Sequence, residues 1–380
     1  MDVSGHPATP SSRPLLAEPI PVLRPTLPTF DSVAPYFRRI DEARIYSNHG
    51  PLWTAFRDGF AQWLGCRAGL GSVHVVPTSS GTTALEAVLR LRATPGRTLC
   101  LMPAFTFIAS AHAICNAGLT PMLTDVDADT LMLTPALAER AMRRMPTLPA
   151  AIVVVSAFGA PPDVAAWEAF EHDHGIPVVF DAAAATTSLR QIGRQPLCVS
   201  LHATKVFGIG EGGAVITTDF DLAAQLESMI GFGFTGAGRT SDRRGGNWRI
   251  SEYTAAMGLA VLATVDAKEA ALRTLGARYA EALRGSPVRL QQRSGADWAT
   301  MTFNVILPSA QAQGLLASLD AENVGWRRWW GLGTHRHAAF ADLPRDDLGA
   351  TDDIAPRVIG IPFFVDLTPE QMSRVAACLV

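Results

Sequence analysis

Short apolar runs alternate with helical stretches between residues 73 and 230, and this alternation constrains the fold more than any other feature. The runs are at 73–76, 98–102, 121–126, 151–156, 177–181 and 197–202. Helical patterns separate them at 82–92, 108–116, 135–144 and 164–174. Several of the runs are apolar throughout, which is the signature of strands buried on both faces. The pattern therefore predicts an α/β domain built on a mostly parallel sheet with helices on both sides. A further strand is predicted at 212–218, a helix at 222–230, a long Gly/Arg/Ser-rich loop at 231–248 and a long bridging helical region at 251–284. Beyond residue 288 the pattern changes to isolated elements: a strand at 302–307, a helix at 311–319, an extended segment at 323–329 and a closing helix at 369–379. A chain of 380 residues exceeds the usual size of one domain. The expected organisation is a flexible Pro/Ser-rich arm over 1–20, a large domain over 21–284 and a smaller α+β domain over 285–380.

Charge and cysteine usage narrow the function classes. A formal net charge of -3 is near neutral and gives no reason to expect nucleic acid or anionic membrane as a partner. No run approaches the ~20 apolar residues that cross a bilayer, and the N-terminus lacks the basic-then-apolar order of a signal peptide. Five scattered cysteines with no CxxC pair fit a reduced, cytoplasmic setting; Cys100, Cys115 and Cys198 lie in apolar runs and read as core residues.

The basic residues point to chemistry. Of 32, only Lys205 and Lys268 are lysine. Lysine can lose its proton and act as a nucleophile, which guanidinium cannot. Lys268 lies on a polar helical face; Lys205 lies in SLHATKVFGIGEGG, where a strand runs into a Gly-rich turn. An amine there can form a Schiff base with an aldehyde and then serve as an acid–base.

Ligands of open α/β sheets collect at the carboxyl ends of the strands, and three more segments fall there. In PTSSGTT (77–83), Ser80, Gly81 and Thr82 stand at a helix start, where free N–H groups and the helix dipole favour a phosphate; an ordinary cap uses the same residues. Asp181 ends PVVFD, a costly place for a carboxylate unless something positive meets it; a protonated pyridine nitrogen is one such partner, and a structural Asp paired with an arginine or a backbone cap is the alternative. Phe107, in PAFTF (103–107), offers a ring for stacking, though aromatics are also common in such cores. A phosphate cradle, a stacking ring, a carboxylate and an amine together are what pyridoxal phosphate requires.

The motifs SNHGP (47–51), SSGTTAL (79–85), PAFTFIAS (103–110), FDAAAA (180–185), SLHATKVFGIGEGG (200–213) and GGNWRISEYTAAMGL (245–259) resemble, in order and spacing, the DegT/DnrJ/StrS family of fold-type I pyridoxal-phosphate aminotransferases, mostly acting on nucleotide sugars. The resemblance runs from about residue 20 to the C-terminus. It implies that Lys205 is the Schiff-base lysine, Asp181 the acid on the pyridine nitrogen and Phe107 the stacking aromatic. It implies phosphate contacts from Ser80, Gly81, Thr82 and Ser200, and from Asn247 reaching across to a neighbouring subunit, hence a homodimer with shared sites. The HATK form of the lysine motif resembles enzymes acting on deoxy-ketohexose nucleotides. Two positions depart from the family pattern: Ala184 stands where Gln or His is usual, and Arg57 where Glu is typical.

The expected reaction is transfer of nitrogen from glutamate, or a similar donor, to a keto group of a nucleotide-linked deoxysugar, with no metal. A second reading is another pyridoxal-phosphate reaction, or amination of a cyclitol or other non-sugar ketone, which Ala184 keeps open. A third is a non-catalytic, cofactor-binding regulator. The Arg-rich loop at 239–249 could meet a diphosphate or simply be solvated, and His335 and His337 could reach the substrate or lie on the surface.

Overall fold

The computed structural model describes residues 18–71, 73–235 and 240–380. Helices α1 (Phe30–Ala43) and α2 (Pro51–Ala68) precede a run of β1 (His74–Thr78), α3 (Gly81–Arg92), β2 (Leu99–Pro103), α4 (Ala109–Asn116), β3 (Thr120–Thr124), α5 (Pro135–Met142), β4 (Ala151–Val155), α6 (Val164–His174), β5 (Val178–Asp181), β6 (Leu197–Ser200), β7 (Gly213–Thr217) and α7 (Phe220–Ile230). A short hairpin follows, β8 (Phe234–Thr235) with β9 (Thr240–Ser241), then α8 (Glu252–Leu262) and α9 (Val265–Ala282). The remaining elements are β10 (Arg289–Leu290), β11 (Phe303–Ile306), α10 (Ala312–Ala321), α11 (Gly349–Ile354), β12 (Val358–Ile361) and α12 (Pro369–Ala377).

Seven strands form the main sheet in the order β1-β7-β6-β5-β4-β2-β3. Only β7 runs against the others, pairing antiparallel with both β1 and β6. The carboxyl ends of β1 to β6 therefore share one edge of the sheet, where a ligand site belongs. Apolar clusters cover both faces: Phe56, Phe60, Val154 and Phe180 belong to one, Leu85, Leu89, Val153 and Val179 to the other. A separate three-stranded antiparallel sheet, β10-β11-β12, packs with α9 and α12. The expected α/β class with a mostly parallel sheet is what forms.

Several expected details differ. Of the N-terminal arm, residues 1–17 lie outside the described residues, but Ile20 is 1% exposed and pairs with Val324, so the end of that segment is anchored. The helical region at 251–284 is two helices. Thr264 leaves helical geometry at φ -130° and its hydroxyl donates to the Val261 carbonyl, ending α8. The loop at 231–248 contains the β8–β9 hairpin and is closed by a Gly231–Asn247 bridge. Cys100 and Cys198 are buried, but Cys115 is exposed. The inward face of α4 is formed by Ser110, Ala111, Ala113 and Ile114, which turns Cys115 outward. Among the described residues no helix is long and apolar enough to cross a membrane.

Candidate active site

Asp181 is the last residue of β5, in register with Val155 of β4 and Cys198 of β6. Its Oδ2 accepts from the Ser110 hydroxyl at 2.6 Å, and its Oδ1 accepts from the Ala183 N–H at 3.2 Å. The Ser110 hydroxyl is in turn within 3.0 Å of the Thr106 hydroxyl. Burial pushes the Asp181 carboxyl above the usual range, with the two hydrogen bonds and the Lys205 charge pulling the other way. No basic side chain forms an ion pair with it among the described residues. A structural arginine is therefore not what meets this carboxylate, whereas the backbone contact also open at the level of sequence is present, from Ala183.

Lys205 sits on a tight turn beyond β6. Its N–H donates to the His202 carbonyl at 2.8 Å. Gly208 keeps the turn closed, since a Cβ there would stand 2.7 Å from the Ala203 carbonyl oxygen. Two residues on, Phe207 is fully buried, its ring 4.7 Å from Phe60 and 5.8 Å from Trp63. Burying such a ring stabilises by roughly 2–3 kcal/mol, so the turn is pinned to α2. Burial lowers the Lys205 amine to about 8, and the Asp181 charge opposes that shift. The amine is thus much closer to neutral working pH than an ordinary lysine. His202 accepts at Nδ1 from the Thr204 N–H at 3.2 Å, which places any proton of the neutral ring on Nε2.

Ser80 caps α3, its hydroxyl accepting from the Thr83 N–H at 3.1 Å while the Thr83 hydroxyl accepts from the Ser80 N–H at 3.0 Å. The Gly81 and Thr82 N–H groups have no acceptor among the described residues. Gly81 lies against β6: a Cβ there would stand 3.0 Å from Cβ of Ser200. The antiparallel β7 makes this approach possible, because a Cβ on Gly213 would collide with the Ser80 backbone.

These pieces surround a single cavity of about 500 Å³, within the range of small-molecule sites. Ser80, Gly81, Thr82, Phe107, Asp181, Ser200 and Lys205 all line it, as does Ala184. Phe107 is 56% exposed rather than packed in the core. Asn247 does not line it. That side chain is exposed and its Oδ1 accepts from Arg249 Nη2 at 2.9 Å. Arg57 is also elsewhere, paired with Asp58 and Glu227. Arg239 lies outside the described residues, and none of 240–249 borders this cavity. His335 is buried and bonded to Asp352 at 2.9 Å, His337 is exposed, and neither lines the cavity.

Sequence reasoning missed the opposite wall. Arg327, Arg328, Trp329 and Trp330 all border the cavity. Backbone bonds of 3.0 and 2.8 Å tie Arg327 to Gly360 at β12, and Trp330 stacks on Phe158 at 3.9 Å. Neither arginine has an ion-pair partner among the described residues, although Arg328 Nε donates to the Pro356 carbonyl at 2.7 Å. The run WRRWW was visible as two arginines between indoles, a composition suited to a polar, anionic ligand.

Residues 31–380 match the model of the DegT/DnrJ/EryC1/StrS aminotransferase family. Protein Rv3402c of Mycobacterium tuberculosis is 30% identical, over 98% of this chain and 94% of that protein. A UDP-N-acetyl-3-dehydro-α-D-glucosamine 3-aminotransferase of Acidithiobacillus ferrooxidans is 30% identical over 82% of this chain and 85% of that enzyme. The crystal structure of DesI, solved in the presence of its TDP-sugar product, superposes with a TM-score of 0.81 at 28% identity, over 96% of this chain and 93% of that one. The cavity offers what the family's cofactor needs: an amine drawn to about 8, a carboxyl with no ion pair among the described residues, and N–H groups at a helix start with no acceptor among them. The chain belongs to the DegT/DnrJ/EryC1/StrS aminotransferase family and is a pyridoxal-phosphate-dependent aminotransferase.

Proposed function

We propose that this enzyme moves an amino group from glutamate, or a similar donor, to a keto group of a nucleotide-linked deoxysugar. The observation that carries the reading is Lys205, with its amine drawn to about 8, lining the same cavity as Asp181. When bound, pyridoxal phosphate supplies an aldehyde that carries nitrogen between two substrates and a conjugated ring that holds the electron pair left as a proton departs. Lys205 Nζ holds the cofactor at rest, then takes that proton from carbon and returns it. A buried carboxylate is costly without a cation; Asp181 meets a protonated ring nitrogen and keeps it protonated. The Gly81 and Thr82 N–H groups, with the Ser80 and Ser200 hydroxyls, take the phosphate, and Phe107 covers a ring face.

Arg327 and Arg328 take the anionic groups of the substrate, since guanidinium suits bidentate contact with carboxylate or diphosphate. Asn247 lies outside this cavity and serves the site of a second copy; the working unit is a homodimer, in the cytoplasm. Support for a sugar-nucleotide acceptor comes from the relatives: one is named for a UDP-sugar and another was solved with a TDP-sugar product.

Ala184, which borders the cavity, favours one alternative: a different pyridoxal-phosphate reaction, or a cyclitol or other non-sugar ketone as acceptor. The test is a two-step assay. Glutamate should bleach the visible band of the cofactor-loaded enzyme, and a panel of keto-sugar nucleotides, cyclitol ketones and simple keto acids should restore it selectively. Recovery with a sugar nucleotide alone supports the proposal; recovery only with keto acids or a cyclitol ketone overturns it.

A further inference from the structure

Ala184 has no side-chain polar atom to offer the cofactor, and the neighbouring strand end carries one. Ser156, just past β4, is 3% exposed and its hydroxyl is buried with no hydrogen-bond partner among the described residues. It lines the cavity. Its N–H donates to the Asp181 carbonyl at 2.9 Å, so it stands directly beside the end of β5. The turn that it opens leans on Ala184: the Gly159 N–H donates to the Ser156 carbonyl at 3.0 Å, and a Cβ on Gly159 would stand 2.6 Å from the Ala184 carbonyl oxygen. Thr186 and Thr187 also have buried hydroxyls without partners, but neither borders the cavity. A buried hydroxyl with nothing to bond costs free energy comparable to a lost hydrogen bond, and at a cavity wall a ligand atom can supply the missing partner.

The sheet order indicates which atom. On the pyridine ring the phenolic oxygen and the phosphate-bearing arm lie on opposite sides of the line from the ring nitrogen to the aldehyde carbon. With the nitrogen at Asp181 on β5 and the phosphate toward Ser200 on β6 and the start of α3, the phenolic edge turns toward β4. We propose that Ser156 is a positioning residue whose hydroxyl donates to the phenolic oxygen of the bound cofactor, supplying from β4 the polar contact that Ala184 lacks. This rests on the roles proposed above for Lys205, Asp181 and the Ser80–Thr82 turn.

The consequence is spectroscopic. The phenolic oxygen is negatively charged and adjoins the nitrogen that joins Lys205 to the cofactor. A hydroxyl donating to it satisfies part of that charge, so the proton on the nitrogen is held less tightly and leaves at lower pH.

The experiment is a pH titration of the visible band of the substrate-free holoenzyme. Ser156→Ala should raise the midpoint by about one pH unit. Ser156→Thr should leave it near wild type, and Ala184→Gln added to Ser156→Ala should bring it back. Melting of the cofactor-free Ser156→Ala protein should be unchanged or higher, since the hydroxyl has no protein partner. An unmoved midpoint in Ser156→Ala overturns the proposal, as does a drop in cofactor-free melting without a spectral shift. Lys205→Ala separates the two layers. If it keeps the wild-type band, the underlying reading fails; if it loses the band while the Ser156 variants titrate like wild type, only this inference fails.

Discussion

The two sides of the cavity are built in different ways. The floor is built at strand ends: Asp181 and Ser200 are the last residues of β5 and β6, and Ser80 and Lys205 lie shortly beyond β1 and β6. Its two ionisable groups are half-buried and shifted, the Asp181 carboxyl upward and the Lys205 amine down to about 8, as groups at active sites commonly are. The wall, Arg327 to Trp330, hangs between two sheets, held by the Arg327–Gly360 bridge and the Trp330–Phe158 stack. Its arginines have no carboxylate partner among the described residues, and a guanidinium offers directional N–H donors to an anion rather than a nucleophile. A sheet edge fixes reacting atoms; a segment between two sheets can vary in sequence and decide what is admitted. Floor variants should therefore lower kcat and wall variants should raise KM.

The largest break expected is at Lys205. Lys205→Ala should lower kcat by at least about 10⁴-fold, because the residue proposed as both covalent anchor and acid–base is lost. Asp181→Asn follows at about 10²–10³-fold in kcat, the usual scale for removing a preorganised charge from a buried site. Across the cavity, Arg327→Ala or Arg328→Ala should raise KM for the anionic substrate about ten- to a hundredfold with kcat nearly unchanged, as expected for a charged hydrogen bond of ~1.5–3 kcal/mol. A large fall in kcat for either arginine variant would erase the distinction between the two sides. Phe107→Ala is expected to be the mildest, weakening cofactor binding about three- to tenfold in an equilibrium titration.

Stability sharpens the same contrast in the cofactor-free protein. The folded Lys205 amine titrates near 8 against an ordinary 10.5. Between those values the unfolded chain binds a proton that the folded one does not, so stability rises with pH across that window and the full penalty stands below it. Lys205→Met should therefore stabilise the cofactor-free protein at pH 7 by up to about 3 kcal/mol, with the gain shrinking toward pH 10 in denaturant titrations.

The floor was legible in the sequence because its information is local. A strand, a turn and the residue after the strand lie within a few positions of one another, so FDAAAA and SLHATKVFG carry their own context. The wall depends on distant partners. Arg327 is placed by Gly360 and the segment preceding it by Ile20, contacts that no periodicity reveals. Helix α1 was missed because Pro35 sits inside it, where proline ordinarily breaks a helix. Asn247 marks a different limit: its expected target belongs to a second copy, and within one protomer it simply holds Arg249.

The most direct measurement uses the scarcity of lysine. Cofactor-loaded protein is reduced with borohydride, digested and mapped for the added pyridoxyl mass at Lys205 and Lys268, the chain's two lysines. The account predicts label on Lys205 and none on Lys268. Label on Lys268 instead, or an unlabelled Lys205 in protein whose visible band has been lost to reduction, would contradict it.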